Sequence, residues 1–234
     1  MRVLAIMCHP DDMELSCGGT LLRCKKRGDE VFVCHCANGN MGHVVIMPDE
    51  LRDIRRKEAQ KASALGGFNI VTTDFGDLTV NPADIHQQLE VTRIIREVKP
   101  DFIITHSPTD YCSDHVGVNQ LVFKASFDAS CPHFHPELGE ATDVTPIFYA
   151  DNSDGINSVP TEYVDITDEM DLKEQMMACH ESQLVWLKDH DGIDIIECQR
   201  TRAAFRGQQC GVKYAECFTQ LLASQRLRTY RMLP

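Results

Sequence analysis

The chain has 234 residues, of which 43% are hydrophobic and 25% charged, and a formal net charge of −12. Its size and composition predict a single soluble globular domain over residues 1–234. The acidic balance argues against a nucleic-acid partner, because nucleic-acid binding depends on cationic neutralisation of phosphates. No apolar run approaches the roughly 20 residues of a membrane span, which argues against a membrane partner. A small neutral or cationic substrate suits this charge better.

The chain contains 11 cysteines, and several lie inside strand-like apolar runs. Their odd number favours reduced thiols and a cytoplasmic location, as does an N-terminal apolar stretch shorter than the roughly 7–15 residues of a signal-peptide core. Cys34-His35-Cys36 has the residue types of a metal site. On an alternating strand, however, residue 35 opposes the other two, and no second pair at zinc spacing follows. A structural role is therefore predicted for this cluster.

Strand-like and helix-like segments alternate along the chain. The first strand, at residues 3–8, precedes a helix that ends at Gly28, a strand at 30–37 and a charged helix at 48–66. Then come a strand at 68–72, an amphipathic helix at 82–98, a strand at 101–105 and a helix at about 116–127. Short strands at 146–150 and 163–166 precede two final helices. This alternation predicts an α/β, Rossmann-like fold, with a mostly parallel sheet flanked by helices.

The segment His9-Pro10-Asp11-Asp12 directly follows the first predicted strand. Open α/β sheets bind ligands in the crevice at the carboxyl ends of their strands, so these side chains reach that crevice. His and Asp are ordinary ligands of zinc, and a second Asp beside a ligand can take a proton from water. The alternative is a polar turn in which an aspartate caps the next helix.

A second polar cluster, residues 106–115, follows the fourth predicted strand and could face the first cluster across the crevice. His9 and Asp12 from one loop and His115 from the other make a three-ligand set with room for water, the pattern of a catalytic zinc site. Asp114 could orient the His115 imidazole or cap the next helix. His106 is either a satisfied histidine at the strand end or part of the site.

With both clusters in place, the chain resembles the LmbE/PIG-L family of zinc-dependent N-deacetylases. The resemblance covers nearly the whole chain through residues 9–20, the loop 38–42, Arg55-x-x-Glu58, residues 105–115, the segment 180–183 and the stretch 206–216. It implies that His9, Asp12 and His115 bind the metal, zinc or ferrous iron, and that Asp11 is the general base. It also implies one LmbE-like deacetylase domain that removes the N-acetyl group from an N-acetylglucosamine-type amino sugar or its conjugate.

The chain departs from the family at Cys112, where most relatives have a histidine that stabilises the oxyanion. A thiol is a poor hydrogen-bond donor, and loss of one oxyanion donor typically lowers the rate about 10²–10³-fold. We therefore expect Cys112 to lie in the catalytic site of a weakened enzyme, unless another group such as His106 replaces the histidine. The resemblance further implies that Arg55 contacts substrate, and we expect Asn40 and His106 to be substrate-binding residues as well.

Other functions remain open at this point. A thiol-conjugate amidase or an O-deacetylase would share the fold and the chemistry, and a homo-oligomer is compatible with the sequence. Cys112 is the best argument for a metal-binding protein without catalysis, but a metal site alone would not need Asp11. A nucleotide-binding module is disfavoured, because no G-x-G-x-x-G follows the first strand.

Overall fold

The computed structural model describes residues 1–234 and contains one seven-stranded sheet of order β3-β2-β1-β4-β5-β7-β6. The strands are β1 (Arg2–Met7), β2 (Glu30–Ala37), β3 (Asn69–Phe75), β4 (Phe102–Thr105), β5 (Ile147–Ala150), β6 (Glu162–Asp165) and β7 (Ala215–Gln220). The first five strands are parallel, whereas β7 runs antiparallel to both of its neighbours. The predicted α/β class with a mostly parallel sheet is confirmed.

Eight α-helices accompany the sheet. They are α1 (Asp12–Ser16), α2 (Gly18–Arg27), α3 (Pro48–Gly66), α4 (Ile85–Val98), α5 (Ser113–Asp128), α6 (Met170–Met177), α7 (Glu181–Trp186) and α8 (Ile195–Cys210). A π-helical turn, Leu187–Asp191, extends α7. None of the helices has the length and apolar character needed to cross a membrane.

The central strand β1 is covered on both faces. Val3, Ala5 and Met7 belong to one hydrophobic cluster, and Leu4 and Ile6 belong to a second cluster across the sheet. This double burial explains the continuous apolar run of the strand, which is typical of parallel sheets. Polar side chains therefore begin only where the strand ends, and the candidate site is placed at the carboxyl edge of the sheet.

The structure corrects two predicted elements. α4 begins at Ile85 rather than at residue 82, because the Asp84 carboxylate accepts hydrogen bonds from the backbone N–H groups of His86 and Gln87. The end of the chain contains three helices and strand β7 instead of two helices alone. Since β7 lies between β5 and β6, the sheet has one strand more than the sequence predicted.

Candidate metal and catalytic site

The turn from β1 to α1 fixes the two adjacent aspartates. Asp11 has a φ of 114°, in the left-handed region that a non-glycine residue rarely adopts. The backbone N–H of His9 donates to Asp12 Oδ2 at 2.6 Å, which closes the turn. Strained backbone of this kind is concentrated at functional sites. The turn directs the Asp12 carboxylate to His9 and the Asp11 carboxylate to Arg55.

Asp12 is the centre of a cluster of imidazoles. Its Oδ2 atom lies 3.3 Å from His9 Nδ1, 3.2 Å from His115 Nε2 and 3.4 Å from His106 Nε2. Two close groups of potential metal-binding atoms share this aspartate, Asp12 with His106 and His115, and Cys8 with His9 and Asp12. Imidazole nitrogens and a carboxylate oxygen are donors that a divalent metal such as zinc accepts. The residues present therefore fit a metal ion.

Further carboxylates contact the outer nitrogens of the two histidines. Asp110 Oδ1 lies 3.2 Å from His115 Nδ1, and Asp114 Oδ2 lies 3.6 Å from His9 Nε2. The contact with His115 that the sequence suggested for Asp114 is thus made by Asp110, and Asp114 also accepts the backbone N–H of Leu78 at 2.7 Å. Such carboxylates orient metal-binding imidazoles.

Asp77 is a residue of the site that the sequence analysis missed. Its Oδ1 atom lies 3.8 Å from His9 Nε2, and its carboxylate accepts the backbone N–H groups of Gly39 and Met41 at 2.8 and 3.0 Å. The side chain of Asn40 in turn accepts the backbone N–H of Asp77 at 3.0 Å. Asn40 therefore joins two loops of the site. The available signal was the position of Asp77 just beyond the third strand.

Arg55 lies beneath the turn, and only 3% of it is exposed. Its Nη2 atom donates to Asp11 Oδ2 at 2.9 Å and to the Pro10 carbonyl at 2.5 Å, and Nη1 donates to the Gly39 carbonyl at 3.1 Å. A Cβ atom on Gly39 would lie 2.3 Å from Nη1, so this close approach requires glycine. These contacts show that the buried guanidinium holds Asp11, and the substrate contact expected for Arg55 stays a prediction.

Burial also shifts the pKa of the Asp11 carboxyl. Removal from water raises the pKa of this carboxyl above its usual value, and the nearby Arg55 guanidinium offsets only part of the increase. A raised pKa brings a carboxylate closer to the range in which it can accept and release a proton near neutral pH. Asp11 thus has the electrostatic environment of a general base.

Two comparisons place the chain in a family. The family model described as PIG-L, GlcNAc-PI de-N-acetylase, matches residues 4–126. A diacetylchitobiose deacetylase from Thermococcus kodakarensis is 31% identical over 228 residues, covering 92% of this chain and 81% of the relative. The chain belongs to the PIG-L family. The family that the sequence motifs indicated is confirmed.

Solved structures agree with the PIG-L assignment. The N,N'-diacetylchitobiose deacetylase of Pyrococcus horikoshii superposes with a TM-score of 0.80 at 27% identity, over 94% of this chain and 83% of that one. A 4-carboxy-2-hydroxymuconate hydratase from Pseudomonas putida KT2440 also reaches a TM-score of 0.80, at 20% identity, over 100% of this chain and 99% of that one. At that identity the second likeness shows the fold alone.

Two remaining residues can now be placed in this PIG-L site. His106 is 3% exposed, accepts the backbone N–H of Cys8 at 2.8 Å and stacks on His115 with ring centroids 3.9 Å apart. Burial, reinforced by the neighbouring His115, lowers the pKa of His106 to about 4. His106 is therefore packed against His115 at the site, and its expected contact with substrate stays a prediction. Cys112 is half-buried directly before α5, and its thiol faces His115.

Proposed function

We propose that this PIG-L protein is a metal-dependent hydrolase, built as one deacetylase domain over residues 1–234, that removes the N-acetyl group from an N-acetylglucosamine-type amino sugar or its conjugate. The observation that carries the proposal is the convergence of His9 and His115 on Asp12, with Asp11 beside it on the same turn. The names of the similar proteins, which specify deacetylation of diacetylchitobiose and of a GlcNAc conjugate, support this substrate class.

We further propose zinc as the metal, held by His9, Asp12 and His115, with ferrous iron as the alternative. Two imidazoles and one carboxylate leave coordination positions open for reactants, which is the composition of catalytic rather than structural zinc sites. When bound, the metal would polarise the acetyl carbonyl and make water a stronger nucleophile. The orientation of both imidazoles is maintained by Asp110 and Asp114.

Asp11 moves the proton in this mechanism. Arg55 occupies Asp11 Oδ2, so Oδ1 is the atom that can accept a proton as water attacks the acetyl carbonyl carbon. The C–N bond then breaks, and Asp11 returns the proton to the departing nitrogen. One water molecule is consumed, and the products are acetate and a free amine. General acid–base catalysis of this kind typically contributes about 10²–10⁴-fold to the rate.

The charge of the site argues against a hydratase acting on a polycarboxylate, even though one such enzyme shares the fold. Asp11, Asp77, Asp110 and Asp114 surround the histidines, and the net charge of the chain is −12. Arg55, the buried cation of the site, is already paired with Asp11. Anionic groups of a substrate beyond the one that a bound metal could hold would meet these carboxylates, whereas a neutral acetamide would not.

The test is an acetate-release assay on protein depleted of metal and then reloaded with zinc or ferrous iron. The substrates are N-acetylglucosamine, N,N'-diacetylchitobiose, an N-acetylglucosaminyl inositol and an O-acetyl ester of the same sugar. We expect acetate from the amides with the reloaded wild type and a severe loss with Asp11→Asn. Release from the ester alone would indicate an O-deacetylase. Release from none of them, by protein with bound metal, would contradict the proposal.

A further inference from the structure

The segment 180–183 lies at the N-terminus of α7 and provides three polar side chains that the mechanism above does not use, those of His180, Ser182 and Gln183. His180 is completely buried, and Gln183 is 7% exposed. Buried polar groups are paired in folded proteins, so their partners show what this segment holds together. Those partners belong to three separate elements, all at least 124 residues earlier in the chain.

The first contact of the segment is with α1. His180 Nε2 lies 3.3 Å from Glu14 Oε2, and neither residue is exposed to solvent. Glu14 lies on α1, whose first turn is joined to Asp11 because the Asp11 carbonyl accepts the backbone N–H of Leu15 at 3.0 Å. A buried carboxylate without a polar partner is costly, so the contact with His180 fixes α1 directly behind Asp11.

The other two contacts of the segment lie next to Arg55. The backbone N–H and the hydroxyl of Ser182 donate to the two carboxylate oxygens of Glu58 at 2.8 and 2.7 Å. Glu58 lies on α3 about one helical turn after Arg55. Gln183 Nε2 donates to the Gly42 carbonyl at 3.1 Å. A Cβ atom on Gly42 would lie 3.1 Å from Arg55 Nη1 and 3.3 Å from Gln183 Oε1, so this glycine is packed between the two side chains.

Three elements determine where the Asp11 carboxylate lies. α1 begins directly after Asp11, α3 carries Arg55, and the loop 38–42 provides the Gly39 carbonyl that accepts Arg55. The segment 180–183 contacts all three of these elements. A displacement of a reacting group by 1 Å can lower a rate by about 10²-fold, even when its cause is far from the chemistry. Contacts that fix these three elements together therefore bear on catalysis as well as on the fold.

We infer that the segment 180–183 positions the Asp11 carboxylate for proton transfer. Ser182 and Gln183 are positioning residues that act through Arg55, and His180 is a positioning residue that acts through α1. The inference rests on the proposed deacetylase function, because that function makes Asp11 the base. A segment that only stabilised the fold would alter the free energy of unfolding and leave kcat unchanged.

The first experiment removes the donor to Gly42 by Gln183→Leu in the metal-loaded full chain. We expect kcat for acetate release to fall about 10-fold while KM changes less than about 2-fold, because the position of the base affects the transition state and not substrate binding. Metal content should not change. Gln88→Leu on α4 is the matched control, because Gln88 is also 7% exposed and its Nε2 atom donates to the Pro82 carbonyl at 2.6 Å. Equal losses of thermal stability with kcat unchanged in both variants would overturn the inference.

The second experiment tests whether Gln183 acts through Arg55. In an Arg55→Lys background, Gln183→Leu should lower kcat less than about 2-fold further, because residues that act through one another are not additive. If the two losses multiply instead, Gln183 does not act through Arg55 and the inference is wrong. Ser182→Ala, which keeps the backbone donor to Glu58, replaces Gln183→Leu in the same cycle if that variant does not fold.

The third experiment needs no turnover and separates this inference from the proposed function. Nitrogen-15 NMR follows the side-chain N–H groups of Arg55, whose signals are those that disappear in Arg55→Lys. The guanidinium is 3% exposed and donates to three acceptors, so its hydrogen exchange should be slow in wild type and in Gln88→Leu, and about 10-fold faster in Gln183→Leu. This result in a protein that released no acetate would support the positioning of Arg55 while contradicting the deacetylase function. Unchanged exchange at Arg55 in Gln183→Leu would overturn the inference whatever the activity.

Discussion

Two buried clusters of charged side chains in this molecule differ in how completely their hydrogen bonds are made. In the first, Lys173 Nζ lies 2.6 Å from Glu216 Oε1, and both residues are buried. The Glu216 carboxylate also accepts the backbone N–H groups of Gly19 and Thr20 at 2.9 and 2.7 Å, at the N-terminus of α2. Each carboxylate oxygen therefore has a donor, and the charge is balanced by a lysine and a helix dipole.

The second cluster, around Asp12, has an excess of nitrogen atoms. Three imidazole nitrogens lie within 3.4 Å of the same Asp12 oxygen, which also accepts the backbone N–H of His9 at 2.6 Å, so these nitrogens cannot all be paired through this one atom. Burying polar groups without full pairing is costly, and a folded protein keeps such an arrangement only where something else compensates. The comparison teaches that a buried ion pair with all its hydrogen bonds made is structural. Several imidazole nitrogens that converge on one carboxylate oxygen instead indicate a ligand site.

The largest expected effect is loss of the metal from the second cluster. His115→Ala should lose the metal and reduce acetate release to background, because one of the three proposed ligands is gone. Asp12→Asn should behave in the same way. Metal content by atomic absorption after gel filtration, with circular dichroism as the folding control, is the measurement. Retention of stoichiometric metal by both variants would show that other residues hold it.

Asp11→Asn should give the next largest effect, with the metal retained. Asparagine keeps the size of the side chain but cannot accept the proton, so kcat should fall about 10²–10⁴-fold. Metal content and acetate release are measured on the same sample. If this variant lost metal as completely as His115→Ala, the assignment of Asp11 as a base rather than a metal ligand would be wrong.

In the first cluster, removal of a charged side chain should lower the stability of the fold rather than the rate of catalysis. Lys173→Met leaves Glu216 buried without its cation, which should lower the free energy of unfolding by about 3–5 kcal/mol. Denaturant titration of the metal-loaded protein measures it. Lys26→Met is the control, because Lys26 is largely exposed and its pairing with Glu169 should contribute at most about 1 kcal/mol. Equal losses in the two variants would contradict a structural role for the buried pair.

The site residues that directly follow a strand were predictable from the sequence. After Arg2, β1 is an uninterrupted apolar run, so the position of His9, Asp11 and Asp12 at the sheet edge followed from where this run ends. β2 and α3 were also predicted with their observed bounds. Their signals are local, because apolar alternation, an N-terminal proline and a final glycine lie within each segment.

The contacts between loops were not predictable, because they depend on where distant segments meet. Arg55 is 44 residues from Asp11 in sequence, and its burial against that aspartate depends on how α3 packs under the turn. The presence of Asp110 rather than Asp114 beside His115 Nδ1 has the same origin, since Asp110 lies in the loop and Asp114 in the first turn of α5. Strand β7 was missed because it is short and its sequence, AECFTQ, has no strong apolar pattern.

A smaller effect is expected from the positioning of Asp11. Arg55→Lys keeps the positive charge but loses the planar set of donors that reaches Asp11, Pro10 and Gly39 together, so kcat should fall about 10²-fold with less change in KM. The control is Arg52→Lys on the same helix, which pairs with the partly exposed Asp74 instead. Comparable decreases of kcat in the two variants would contradict the role of Arg55 in positioning Asp11.

The smallest effect is expected at Cys112, where the chain departs from its family. Cys112→His adds a hydrogen-bond donor beside His115, aimed at negative charge that develops only in the transition state, so kcat should rise more than KM changes. Removal of one such donor in other enzymes costs up to about 4 kcal/mol, but an imidazole is larger than a thiol and Cys112 is half-buried, so we expect a modest gain. Steady-state kinetics on the best acetylated substrate measure it, with Cys131→His, another half-buried cysteine, as control. A slower Cys112→His enzyme would mean that the pocket is shaped around the thiol and that the oxyanion is stabilised by a different group.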